Sequence, residues 1–239
     1  MIRYARLNIA VDIVPLQQEI GELIQKKWLP HYNKKDYTGE WEVLALRAPN
    51  GNANSPIAEL LEGGSFQDTE MMAQCPEVKK TLELLHCEKQ AVRLLNLKKG
   101  AEIKEHRDAE LAFENGEARI HIPIFTNPRV EFFLDKTLLC MNEGECWYIN
   151  ANMPHSLKNL GDSDRVHLVF DCIVNDWLKD VFHDPANKIS ILSEAELWMR
   201  TKDEKMLIIQ SLRMQNNETS LRIADEMDAK LRLYMNADH

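Results

Sequence analysis

The sequence predicts a mainly β domain with flanking helices, followed by a helical C-terminal extension. Three observations carry this expectation. Residues 91–175 hold short runs rich in β-branched and aromatic residues, separated at even spacing by turn residues, the pattern of a barrel or sandwich. Upstream, Leu16, Ile20, Leu23, Ile24 and Trp28 recur at helical spacing. Downstream of residue 175 the period returns to that of a helix, through Met206, Ile209 and Leu212, then Leu221, Ala224, Met227, Leu231 and Tyr234.

In chain order, residues 3–8 read as a short strand and residues 14–28 as an amphipathic helix stopped by Pro30. Residues 41–47 alternate as a strand, and residues 48–56 are a loop by composition. Pro76 opens a short helix over 76–85, where a missing N–H costs nothing. The β-rich region then contributes strands near 92–97, 102–105, 118–125, 130–134, 137–141, 146–149 and 165–174. Its breaks are Lys99-Gly100, Asn115-Gly116, Asn127-Pro128, Asn142-Glu143-Gly144 and Gly161-Asp162, and Asn115-Gly116 is read as a hairpin turn. In the tail, Ser193 with Glu196 and Thr201 with Glu204 both match the reciprocal capping pattern of a helix start. The expected division is a β domain over 1–175 and a helical extension over 176–239, packed on the β core or used in a homodimer.

The chain has 239 residues, 44% hydrophobic and 28% charged, enough to bury a core without disulfide or metal staples. Its net charge of −9 argues against nucleic acid or an anionic membrane as partner. No apolar run is long enough for a membrane span, and the N-terminus lacks a secretory pattern. Five cysteines form no CxxC pair and leave one over, so reduced thiols and a cytoplasmic location are expected.

Chemistry concentrates on the β-rich region. In RIHIPIF, Ile120, Ile122 and Ile124 share one face, while Arg119, His121 and Pro123 share the other. In RVHLVF, Val166, Leu168 and Phe170 oppose Arg165, His167 and Val169. A solvated face would favour Lys, Glu and Thr, so Arg with His on two apolar strands points to a polar pocket. In His106-Arg107-Asp108, an imidazole and a carboxylate two apart point the same way on extended chain and can chelate one ion. His155, opening a later strand, completes a two-histidine, one-carboxylate set that suits Fe(II) and leaves positions open for O2 and a cosubstrate. Arg165, at the start of an apolar strand, is suited to clamp a carboxylate in two-pronged fashion.

The stretch from His106 to Asp171 resembles the aspartyl/asparaginyl β-hydroxylase family of Fe(II)/2-oxoglutarate dioxygenases. The resemblance rests on HRD, RIHIPI, GECWYINANMPH and RVHLVFD, with Asn159 before the last, and spans residues 92–175. It implies a double-stranded β-helix, the jelly-roll or cupin-like core, and hydroxylation of an unactivated C–H with 2-oxoglutarate and O2 giving succinate and CO2. His106 and His155 match the family's metal-binding histidines, and Arg165 the arginine holding the distal carboxylate of 2-oxoglutarate. Arg119 and His121 match a pair lining the site near cosubstrate and substrate carboxylates. Asp108 stands where animal members that modify proteins lack the metal carboxylate, so the chain looks more like bacterial members acting on free amino acids. The implied substrate is an amino acid, free or in a peptide. The rivals are a non-catalytic cupin-like binding module and a cupin enzyme that does not use 2-oxoglutarate.

Other chemistry-bearing residues receive plain readings. His31 reads as a surface or capping residue, and His86 and Cys87 as neighbours facing opposite ways. His167 reads equally as pocket lining or core, Trp41 and Arg47 receive no role, and Trp147 and Tyr148 read as core or wall aromatics.

Overall fold

The computed structural model describes residues 1–26, 28–54, 60, 63–108 and 111–236. The chain forms two compact units, Ile2–Ser190 and Ile191–His239 with Met1.

The larger unit is built on two antiparallel sheets. Its eight central strands are β6 (Lys89–Leu97), β7 (Glu102–His106), β8 (Glu117–Phe125), β9 (Val130–Leu134), β10 (Thr137–Leu139), β11 (Cys146–Ile149), β12 (His155–Asn159) and β13 (Arg165–Ile173). They are preceded by β1 (Ile2–Leu7), β2 (Leu29–Pro30), β3 (Tyr37–Thr38), β4 (Trp41–Pro49) and β5 (Phe66–Asp68), and followed by β14 (Lys188–Ile191). The large sheet runs β14-β1-β11-β8-β13-β6-β4-β2 with β5 beside β4, and the small sheet β10-β9-β12-β7-β3. Among the central eight, the chain places β11, β8, β13 and β6 in one sheet and β10, β9, β12 and β7 in the other. That winding is a double-stranded β-helix.

The outer face of the large sheet is apolar because three helices cover it. They are α1 (Ile13–Leu23), α2 (Pro76–Glu83) and α3 (Asp176–Phe182). Leu16 and Ile20 of α1, Val78 of α2 and Leu178 of α3 pack against Ile120, Ile122, Ile124, Leu168 and Phe170 in one cluster. Full burial of such side chains contributes about 1.5–3 kcal/mol each. The same alternation turns Arg119, His121, Arg165, His167 and Asp171 to the inner face, toward the small sheet.

The local structure corrects several expectations. Helix α1 stops at Leu23 rather than reaching Trp28, because the buried Trp28 indole turns back and donates to the Leu23 carbonyl at 2.9 Å; Lys27 lies outside the described residues. Asn115-Gly116 is not a hairpin turn. Residues Phe113–Asn115 form a 3-10 turn closed by Gly116 at φ 92°, and the flanking strands β7 and β8 lie in different sheets. The tight hairpin is β9–β10, turning at Asp135 and Lys136 with φ 49° and 64°. Positive φ at both central positions is the type I′ geometry whose twist matches paired strands. Of the loop expected at 48–56, residues 55 and 56 lie outside the described residues.

The smaller unit contains α4 (Glu194–Arg200), α5 (Lys202–Met214) and α6 (Glu218–Asn236) around Ile209, Ala224 and Leu231. Ser193 and Glu196 form the expected reciprocal cap. Thr201 does not cap α5: its hydroxyl donates to the Leu197 carbonyl at 3.0 Å, finishing α4 instead. No helix among the described residues is long and apolar enough to cross a membrane.

Candidate functional site

A cavity of about 710 Å³ opens between the inner faces of the two sheets, a volume in the usual range for small-molecule sites. His106 ends β7 and His155 begins β12, and the antiparallel pairing sets them directly opposite. Their ring centroids are 4.2 Å apart. Asp108 follows β7, its amide donating to the Ala151 carbonyl at 2.9 Å. One ligand atom from each of His106, Asp108 and His155 lies within 4.8 Å of the others.

Both imidazoles are oriented by backbone. His106 Nδ1 is 2.8 Å from the Lys104 carbonyl, and His155 Nδ1 is 3.0 Å from the Met153 carbonyl. A carbonyl only accepts, so each Nδ1 carries the proton and each Nε2 keeps its lone pair for a metal. Burial, reinforced by the neighbouring His106, pushes His155 down to about 4, so it is neutral at neutral pH. Burial alone would raise the Asp108 carboxyl. The Arg119 guanidinium, with His155, His106 and Arg93, outweighs this and holds it below its ordinary value. The donor set is therefore two imidazoles and a carboxylate, which fits Fe(II) with coordination positions left open.

Arg165 and His167 share the inner face of β13, and Arg165 Nη2 lies 2.8 Å from His167 Nδ1. Arg165 is 3% exposed. Among the described residues it has no carboxylate partner, and its Nε has no hydrogen-bond partner. Burial pushes it down to about 9. His121 stands on β8 beside β13, with its buried Nδ1 likewise unpartnered. Burial first, and then the Arg165 charge, hold His121 and His167 well below the ordinary imidazole value. A buried cation ringed by neutral imidazoles fits a carboxylate ligand, because an uncompensated internal charge is costly.

Arg119, expected near cosubstrate and substrate carboxylates, lines the cavity and meets two of the chain's own acids there. It donates to Asp108, and pairs with Asp171 through Nε at 2.7 Å and Nη2 at 3.0 Å. Arg93 Nη2 reaches the same Asp171 at 3.2 Å.

Sequence reasoning missed Arg93, Asp171 and His31. Asp171 was accessible by continuing the series Arg165, His167, Val169 by two residues, and Arg93 is the lone charge in the apolar run 92–97. His31 carries no such signal. It is buried rather than exposed, stacked on Trp41 with ring centroids 3.5 Å apart, and lines the cavity with Tyr32 and Phe66. Burial first, then the Arg93 charge, lower it to about 3.

The model of the aspartyl/asparaginyl β-hydroxylase family matches residues 12–174. The chain belongs to that family. As a family member it is 29% identical over 137 residues to L-proline cis-3-hydroxylase 1 of a Streptomyces species, covering 56% of this chain and 47% of that protein. It is 26% identical over 136 residues to L-proline cis-4-hydroxylase of Rhizobium meliloti strain 1021, covering 56% and 48%. The chain thus spans about half the length of the curated relatives it matches. Among solved structures, an oxidoreductase of the 2OG-Fe(II) oxygenase family from Burkholderia pseudomallei is 13% identical, covering 66% of this chain and 78% of that one, with a TM-score of 0.44. For this β-hydroxylase family member, the fold assignment rests on its own strand order.

Proposed function

We propose that the chain is an Fe(II)- and 2-oxoglutarate-dependent hydroxylase of a small amino acid. The observation that carries this reading is one cavity lined by the His106, Asp108 and His155 cluster and by a buried arginine, Arg165, that has no acidic partner among the described residues. The two relatives named for L-proline support a free amino acid as substrate.

In this reading His106, Asp108 and His155 would hold the iron. Bound there, iron and 2-oxoglutarate supply the oxidation of an unactivated C–H bond by O2, with succinate and CO2 as co-products. The protein's part is placement. Arg165 takes the distal carboxylate of the cosubstrate, where burial strengthens the charge pair. His121 and His167 remain neutral and leave the Arg165 charge undivided. Trp41, His31 and Phe132 wall the cavity and exclude bulk water.

The test is substrate-independent. Fe(II) and 2-oxoglutarate are added without oxygen to metal-free protein, and the visible spectrum is recorded. A charge-transfer band that is lost in His155→Ala and weakened in Arg165→Gln is expected. Iron-bound, folded protein that gives no band with 2-oxoglutarate overturns the assignment.

A further inference from the structure

The two oxygens of Asp108 face different groups. Oδ1 lies 3.9 Å from His106 Nε2, on the side of the three-residue cluster. Oδ2 is the acceptor for Arg119 Nη1. Arg119 cannot choose its position freely. On the facing strand, Asp171 stands opposite it in register and grips Nε and Nη2 with both carboxylate oxygens. Asp171 is 5% exposed, and Arg93 holds it from the other side. The result is a line of alternating charges, Arg93, Asp171, Arg119, Asp108, buried at Arg93 and Asp171 and ending at the partly exposed carboxylate that faces the histidines.

Resting on the function proposed above, we infer that Arg119 and Asp171 form a positioning pair for the metal-binding carboxylate. Asp108 lies beyond the end of β7, where no sheet ladder fixes its side chain. A carboxylate there rotates unless its second oxygen is held, and Arg119 holds it. A guanidinium beside a dication would by itself repel it. Asp171, shared with Arg93, offsets part of that charge, so Arg119 fixes Asp108 with less repulsion of the ion than a lone guanidinium would give. Three of the five N–H directions of Arg119 are spent on these two acids. Its work is therefore on the metal ligand, and the binding of the cosubstrate carboxylate falls to Arg165. Supporting groups around metal ligands typically change metal affinity by about 10–100-fold when removed.

The test uses Co(II) alone as a spectroscopic probe, titrated into the metal-free chain without cosubstrate. Arg119→Gln and Asp171→Asn are each expected to weaken Co(II) binding by about 10–100-fold and to alter the visible d–d bands. Arg119→Lys is expected to restore part of the affinity, a rescue that general loss of packing would not give. At saturating Co(II), the affinity of Arg119→Gln for 2-oxoglutarate is expected to match that of the parent chain. Near-UV circular dichroism checks folding, and if Arg119→Gln loses its native spectrum, Asp171→Asn and Arg119→Lys decide. Unchanged Co(II) affinity and bands in the folded variants overturns the inference, as does a loss confined to 2-oxoglutarate. If the parent chain and His155→Ala bind Co(II) alike, the metal site itself fails, and with it the proposed function.

Discussion

His155 stands directly opposite His106 across the β7–β12 ladder, with ring centroids 4.2 Å apart. A register shift between His155 and Leu157 accompanies that pairing, so the ladder gives way where the imidazoles meet. If the pair binds a divalent ion, the ion stabilises only the folded chain. At a concentration 100 times its Kd it adds about 2.7 kcal/mol to unfolding. Thermal melts should show that increment for the parent chain with Co(II) and none for His106→Ala. An equal rise in both would place the ion elsewhere.

Arg165 is held in the interior without an acid to meet it among the described residues. Arg165→Met should therefore stabilise the metal-free protein, by roughly 1–3 kcal/mol, since apolar packing replaces an uncompensated charge. The same substitution should abolish the melting-temperature rise produced by 2-oxoglutarate with Co(II). Denaturant melts that show Arg165→Met to be less stable than the parent would contradict this account of the buried cation.

His31 links stability to pH. Its ordinary value of 6.5 falls to about 3 in the folded chain. Between those values the unfolded chain binds a proton that the folded chain excludes, so stability falls as the pH drops below 6.5. At pH 5 the loss from this group is roughly 2 kcal/mol. His31→Phe keeps an aromatic ring against Trp41 and removes the titration. Its stability should decline less than the parent's between pH 7 and pH 5, as measured by urea unfolding at each pH.

Gly39 joins β3 to β4 at φ 78°, and a Cβ there would come within 2.9 Å of the Ala101 Cα. Gly39→Ala combines a left-handed backbone with a clash against main chain. It should cost about 2 kcal/mol or more. Because β3 pairs with β7, the strand carrying His106, metal affinity should fall with it. A melting temperature equal to the parent's would exclude this.

The two capping patterns in the tail separate in the structure and should separate in experiment. Ser193→Ala removes a real reciprocal cap and should cost about 1 kcal/mol. Thr201→Ala removes a hydroxyl bonded to the end of the preceding helix and should cost less than about 0.5 kcal/mol. Helix melting followed by circular dichroism compares them; equal losses would show that Thr201 acts as a cap.

The sequence by itself determined the strand faces on which the candidate residues lie. Alternation along RIHIPIF and RVHLVFD set apolar against polar faces, because successive strand residues point opposite ways whatever the sheet around them. The HRD spacing likewise gave a short-range reason for His106 and Asp108 to meet. Tertiary structure decided what each polar group touches. Asn115-Gly116 has hairpin composition, yet the strands on either side belong to different sheets, and pairing between sheets is a long-range choice that local chemistry does not make. Nothing local to Arg119 says which acid it meets. Asp171, distant in sequence but opposite in register, claims it. His31 read as a surface residue and became a cavity wall because Trp41 offers its face there. The physical reason is common to all three: local sequence sets backbone preference and side-chain direction, while partners are set by where distant strands are brought together.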